Sequence, residues 1–310
     1  MNLMKDLWIE VLLCLDIKDI VKLRLISKKY NNYISNSLYY LLLKRDFSKV
    51  INLETKIKNF EKAYKHHYKK KKELIDFKDS FIKLNIISFV KYLQDYMKYF
   101  SLNEVLYWMV ENYKSEAVKY IIEHYKKELN PNFKNKNTGL DFLSAFLYDN
   151  SYTYDEKDCN IIKYLLKLGV DPNTVYKGVP ALNRLFANLS GCYEDLEENF
   201  KPLKLMIEGG ADINSQDMNG NTILMYLFIF DTYCGQARYY NEGFLYEADH
   251  LWENFEEVAL EILEYLLKNK TDVRIKNKKG DTVIDIFKSL DWDNELYDTC
   301  VKIFKKYNYD

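Results

Sequence analysis

Ile161-Ile162-Lys163-Tyr164-Leu165-Leu166-Lys167-Leu168-Gly169-Val170-Asp171-Pro172-Asn173 reads as a short apolar helix that stops at a glycine and turns through Asp-Pro-Asn. Ile162, Leu165 and Leu166 are spaced to share one helical face. Gly169 stands where a helix end favours a residue tolerant of positive φ. The pattern returns 41 residues later as Leu203-Lys204-Leu205-Met206-Ile207-Glu208-Gly209-Gly210-Ala211-Asp212-Ile213-Asn214. That offset maps Ile162 to Leu203, Leu165 to Met206, Leu166 to Ile207 and Gly169 to Gly210. A further copy, Leu263 to Arg274, keeps Leu263, Leu266, Leu267 and Asp272 but puts Lys270 at the glycine position. An earlier, looser copy runs from Val118 to Asn132, with about three extra residues before Asn130-Pro131-Asn132. Recurrence of one helix-plus-turn at such spacing predicts a repeat array, because each copy buries its stripe only against its neighbours.

A second motif recurs between those helices: Gly139-Leu140-Asp141-Phe142-Leu143, Gly178-Val179-Pro180-Ala181-Leu182, Gly220-Asn221-Thr222-Ile223-Leu224 and Gly280-Asp281-Thr282-Val283-Ile284. Turn glycine, capping Thr or Pro, two apolar helices and Gly-x-Asp-x-Asn in this order resemble the ankyrin repeat. The turn glycines are 39, 42 and 60 residues apart, against roughly 33 expected, so insertions sit inside repeats. Where the family carries a histidine that bridges neighbouring hairpins, this chain has Ser144, Asn183, Met225 and Asp285. Its absence predicts less regular hairpin tips. The repeats divide as 102–133, 134–175, 176–216, 217–277 and a terminal 278–310 whose charged residues suit a cap facing water.

The first 47 residues form a separate helical module. Leu7, Trp8, Val11, Leu12 and Leu15 recur at helical spacing, a break follows at Asp16 to Asp19, and Ile20, Leu23 and Ile26 open another helix. Leu38, Leu41 and Leu42 mark a third. A unit this small is marginal alone and tends to hide an apolar face against a partner. The stretch Leu3-Met4-Lys5-Asp6-Leu7-Trp8-Ile9-Glu10-Val11-Leu12, then Asp19 to Tyr30, then Asn36-Ser37-Leu38-Tyr39 through Lys44-Arg45-Asp46-Phe47 resembles the F-box. Met4 replaces the family's usual proline and Tyr39 its tryptophan. The resemblance implies docking onto the Skp-type adaptor of a cullin–RING ubiquitin ligase. The candidates for that apolar surface are Leu3, Leu7, Trp8, Val11, Leu15, Ile20 and Leu23. In the alternative, these side chains pack against the chain's own linker helices.

Residues 48–100 read as a helical connector, with Phe60, Tyr64 and Tyr68 on one face and Phe81, Leu84 and Phe89 on another. Phe60 to Tyr68 resembles the helix that often trails an F-box. Lys65 and Lys69 to Lys72, with His66 and His67 between, are followed at once by Glu73, Asp76 and Asp79, so a solvated helix face is favoured over a nucleic-acid patch. A large insertion, about Asp231 to Asn254, carries Tyr233, Tyr239, Tyr240, Phe244, Tyr246 and Trp252. It is read either as a partner-binding finger or as a lengthened helix with a self-packed loop.

Composition bounds the function. A 48% hydrophobic and 16% aromatic chain of 310 residues can build a packed core, and its net charge of −1 argues against a general nucleic-acid or membrane-surface binder. Cys14, Cys159, Cys192, Cys234 and Cys300 are scattered, which suits reduced thiols in a reducing compartment. No signal peptide is apparent, and the uncharged apolar run Ile223 to Phe230 is too short to span a bilayer. The chain is therefore expected to be intracellular, in the cytoplasm, with a nuclear location left open. His66, His67, His124 and His250 have no metal-ligand spacing, and there is no Gly-x-Gly-x-x-Gly, Walker loop or Gly-x-Ser-x-Gly. No catalytic residue, cofactor or metal is expected.

The expected fold is all-α: a three-helix F-box-like module at 1–47, a connector at 48–100 and an ankyrin-type solenoid of about five degenerate repeats at 101–310. The expected function is a non-enzymatic adaptor that recruits a Skp-type subunit and holds a target protein. Candidate target contacts are the hairpin-tip residues Tyr176, Lys177, Asp217, Asn219, Lys276 and Lys278. The rival is a plain ankyrin scaffold capped by its first helices. In composition and layout the chain resembles ankyrin proteins of large DNA viruses of amoebae or of an AT-rich protist, in which case the target is a host factor.

Overall fold

The computed structural model describes residues 36–47, 60–148, 155–189, 196–233, 252–290 and 294–307. Among the described residues, fourteen α-helices and a single two-stranded hairpin make an all-α protein. The chain divides into two units, Met1–Val105 and Leu106–Asp310.

In the first unit, α1 (Asn36–Asp46), α2 (Phe60–Asp76), α3 (Lys78–Ile82) and α4 (Ile86–Met97) follow in order. α1 packs on α2, burying Leu42, Leu43, Phe47 and Tyr64. The Phe47 ring meets Tyr64 edge-on at 5.4 Å. The Asp46 carboxylate accepts from the Tyr64 hydroxyl at 2.7 Å and from Arg45 Nη2 at 2.8 Å. Burial, reinforced by that carboxylate, raises the Tyr64 phenol well above its ordinary pKa. A second aromatic group joins Phe81 to Phe89 at 5.1 Å, to Tyr96 at 3.8 Å, and Tyr96 to Phe100 at 5.7 Å. Asn85 caps α4 by accepting from the Ser88 amide at 2.9 Å. His67 is a core residue, buried against Phe47 with Nδ1 3.1 Å from the Tyr99 hydroxyl. Lys65, Lys69, Lys70 and Lys72 lie exposed on α2, and Lys70 pairs with Glu73 at 3.2 Å.

The second unit opens within α5 (Leu102–Glu111) and continues through α6 (Ser115–Tyr125), α7 (Phe142–Tyr148), α8 (Glu156–Leu168), α9 (Ala181–Leu189), α10 (Leu196–Glu208), α11 (Ile223–Tyr233), α12 (Trp252–Lys268), α13 (Val283–Ser289) and α14 (Asn294–Lys306). These are consecutive pairs in two layers. The longer second helices stack in the order α6, α8, α10, α12, α14, while α7, α9, α11 and α13 stack beside them. The stripe that recurs in the sequence is what this stacking buries. Val118, Ile121, Ile122, Ile162, Leu165, Leu203, Met206, Leu263, Leu266 and Leu267 are all nearly inaccessible. Leu166 is only half-buried, yet it fixes its neighbour, since a Cβ on Gly209 would lie 2.6 Å from Leu166 Cδ1. Cys159 and Cys300 are buried in α8 and α14, and burial pushes the Cys159 thiol up.

The helix ends follow the local chemistry. Asp155 and Asp158 form a reciprocal capping box at the start of α8. α8 ends on Gly169 at φ 100, and α10 is followed by Gly210 at φ 95. The extra residues of the earliest copy are a 3-10 turn, Lys126–Glu128, after α6. In the copy after α12 the same backbone is forced on Lys270, at φ 64. A left-handed residue with a side chain costs about 1–2 kcal/mol. Lys270→Gly, with glycine's greater unfolded-state entropy subtracted, is expected to stabilise the array by about 0.5–1 kcal/mol. A rise in the urea midpoint checks this, and an unchanged midpoint contradicts it. Of the aromatic insertion, α11 is described to Tyr233 and α12 from Trp252; residues 234–251 lie outside the described residues.

Candidate protein-binding surface

Among the described residues, four loops run between the helix pairs, and each opens with the same turn. The Asn132, Asn173, Asn214 and Arg274 amides donate to Asn130, Asp171, Asp212 and Asp272 Oδ1 at 3.0, 2.9, 2.9 and 3.0 Å. The Asn of Asp-x-Asn then ties loop to loop. Asn173 Oδ1 accepts from the Asp212 amide at 2.7 Å, and Asn214 Oδ1 from the Asp272 amide at 2.8 Å. One residue of the motif therefore builds its own turn and the other fixes the stacking of the next.

Beyond these turns lie the tips. Gly139, Gly220 and Gly280 donate to the carbonyls of Asn135, Asp217 and Asn277 at 2.7, 2.9 and 3.0 Å. The second tip is the hairpin of β1 (Val175–Tyr176) and β2 (Val179–Pro180). Its two central residues, Lys177 at φ 51 and Gly178 at φ 74, both take the left-handed region that a tight two-residue hairpin turn requires. Neighbouring tips touch directly. The Lys278 amide donates to the Asn219 carbonyl at 2.8 Å, a Cβ on Gly220 would sit 2.9 Å from the Lys278 nitrogen, and one on Gly178 would sit 3.0 Å from Met218 Cβ.

Without the family's histidine the tips differ in form: the second is a β-hairpin, and the first closes a wider turn than the third and fourth. Asn183, fully buried in α9, donates from Nδ2 to the Asn221 carbonyl of the next tip at 3.1 Å. Its Oδ1 accepts from Ser215 Oγ at 3.4 Å. One copy earlier, buried Asp141 accepts from the Ser144 amide at 2.7 Å, from Ser144 Oγ at 3.0 Å, and from Thr174 Oγ1 of the adjoining loop. Amide and carboxylate side chains thus supply the cross-hairpin bonds.

The residues singled out in the sequence fall along this row, with one different in kind. Lys177, Asn219, Lys276 and Lys278 are exposed, and Tyr176 is half-buried. Asp217 is buried: Oδ1 accepts from the Asn219 and Asn221 amides at 2.8 Å each, and Oδ2 from the Tyr226 hydroxyl at 2.7 Å. Its carboxylate builds the tip from within, and Met218 beside it is what the tip presents. Sequence reasoning missed Tyr148, Val175 and Met218, exposed by 44%, 58% and 53%. It also missed Arg184, whose guanidinium lies 5.7 Å from the Tyr176 ring. Tyr148 meets Tyr176 edge-on at 5.7 Å, and Lys177 Nζ lies 5.4 Å from the Tyr176 ring and 5.7 Å from that of Tyr148. No sequence signal marks this cluster, because Tyr148 ends α7 while Tyr176 and Lys177 belong to the following tip.

The other surface expected from sequence, Leu3, Leu7, Trp8, Val11, Leu15, Ile20 and Leu23, lies outside the described residues. Among the described residues, no group of three or more His, Cys, Asp and Glu could hold a metal, and no helix is long and apolar enough to cross a membrane.

Comparison with known proteins bears on both surfaces. Residues 2–42 match the F-box domain. Over 191 residues the chain is 28% identical to an ankyrin repeat protein of Acanthamoeba polyphaga mimivirus. That similarity takes in 59% of this chain and 29% of the relative, so the chain spans under a third of that protein's length.

Proposed function

From a chain of the F-box plus ankyrin-repeat type of amoeba giant viruses, we propose a non-enzymatic adaptor that brings a target protein to a cullin–RING ubiquitin ligase. The single observation that carries this reading is the F-box match at residues 2–42 in the same chain as a stacked array of helix pairs. The F-box segment recruits a Skp-type subunit through Leu3, Leu7, Trp8, Val11, Leu15, Ile20 and Leu23. Full burial of one Leu or Trp side chain is worth roughly 1.5–3 kcal/mol, so a few such contacts overcome the cost of association. The hairpin-tip row holds the target, with Tyr176, Lys177, Asn219, Lys276 and Lys278 facing it. The work done is tethering: two sites on one chain raise the effective concentration of target beside the ligase. Bond making belongs to other subunits. In a virus infecting amoebae, the target is a host protein and the site of action the host cytoplasm.

Capture of a purified Skp-type adaptor by the full chain tests this. Wild type retains the adaptor, and Leu7→Asp/Val11→Asp weakens retention by about a hundredfold, since each charge must be desolvated in an apolar interface. The helical signal of the array serves as the folding control. A folded wild-type chain that fails to retain the adaptor overturns the proposal and leaves a ligase-independent scaffold.

A further inference from the structure

The tip row has a charge character that the chain as a whole lacks. Lys134, Lys136, Lys177, Lys276, Lys278 and Lys279 are exposed along it, whereas the net charge of the chain is −1. Among residues 134–139, 175–179, 216–220 and 275–281, the acids are Asp217 and Asp281. Asp217 is buried with both oxygens bonded, and Asp281 is half-buried. Asp285, exposed and near Lys276, is held by the Thr282 hydroxyl at 2.7 Å and amide at 2.9 Å in the capping box that opens α13. Asp217 is thus folded inward, and the exposed lysines of the row outnumber the remaining Asp281 and Asp285, giving a local positive potential on a nearly neutral protein.

Apolar side chains are set among those cations. Tyr148, Val175 and Met218 are the exposed large hydrophobics of the second unit among the described residues. They lie on or beside consecutive tips, with Tyr176 next to Tyr148 and Lys177, and Arg184 next to Tyr176.

We infer that the hairpin-tip row receives an acidic segment of the target protein in which Glu or Asp alternates with aliphatic side chains. This rests on the adaptor reading and specifies the chemistry of its target. Carboxylates complement Lys177, Lys276 and Lys278, and aliphatic groups cover Val175 and Met218, two side chains for which a sugar–phosphate backbone has no counterpart. Recognition by exposed cations is screened by salt, so affinity falls steeply as salt is added.

The test uses the full chain and a labelled peptide alternating Glu with Leu and Val. Its controls are the same peptide with Lys for Glu and a single-stranded oligonucleotide of equal length. The variant is Lys177→Asn/Lys276→Gln/Lys278→Gln. Asn before Gly178 suits the left-handed turn at least as well as Lys, so the hairpin is preserved and the thermal midpoint is the control. Expected are binding of the acidic peptide at low salt, none of the basic one, and a loss of about tenfold or more in the variant. No acidic-peptide binding, equal binding by the variant, or tighter binding of the oligonucleotide overturns the inference. Adaptor capture is measured on the same preparations. Capture without peptide binding removes this inference alone, and peptide binding without capture removes the ligase link alone.

Discussion

Gly220→Ala is expected to lower the stability of the array by about 3–4 kcal/mol, whereas Gly280→Ala costs only about 1–2 kcal/mol. Both glycines close equivalent turns and both have positive φ, 79 and 91. They differ in what faces them. A Cβ on Gly280 meets nothing within 4 Å, but one on Gly220 would stand 2.9 Å from the Lys278 nitrogen and 3.0 Å from Asn277 Cα. Those atoms are backbone and cannot rotate away. They also carry the hydrogen bond from the Lys278 amide to the Asn219 carbonyl, so the methyl group must part the two tips. Urea unfolding of the two variants measures the difference, and faster exchange of the Lys278 amide in Gly220→Ala locates it. Equal losses would mean that the tips do not pack on one another.

Asp217→Ala should cost about 3 kcal/mol, while Asp217→Asn costs under about 1 kcal/mol. The carboxylate is the shared acceptor for the Asn219 amide, the Asn221 amide and the Tyr226 hydroxyl. Alanine leaves those donors unsatisfied around a buried position, which is more expensive than the bonds themselves are worth. Asparagine keeps the turn, as the fourth tip demonstrates: Asn277 Oδ1 accepts from the Lys279 and Asp281 amides at 2.9 and 3.0 Å. Tyr226→Phe separates the parts. Added to Asp217→Ala it should cost less than it does alone, because the two share one bond. Strict additivity would contradict the shared bond.

Local signals carried most of the fold. Ile162, Leu165, Leu203 and Met206 repeat at helical spacing and end at Gly169 and Gly210, so stripe and stop are visible within a dozen residues. Long-range bonds were not visible. Asn183 stands at the position of the family's bridging histidine, but that its amide reaches the Asn221 carbonyl 38 residues away shows only in the fold. Asp217 misled for the opposite reason. A charged residue in a polar loop reads as exposed, but three nearby donors converge on it and draw it in. Tyr148 and Arg184 escaped notice because the cluster around Tyr176 exists only once α7, α9 and the second tip are brought together.

We propose that one chain couples a ligase subunit to a target. Light scattering on the full chain mixed with a purified Skp-type adaptor tests it most directly. Expected is one species with the mass of one chain plus one adaptor, reverting to separate components for Leu7→Asp/Val11→Asp. Two unassociated species from folded wild-type chain would contradict it.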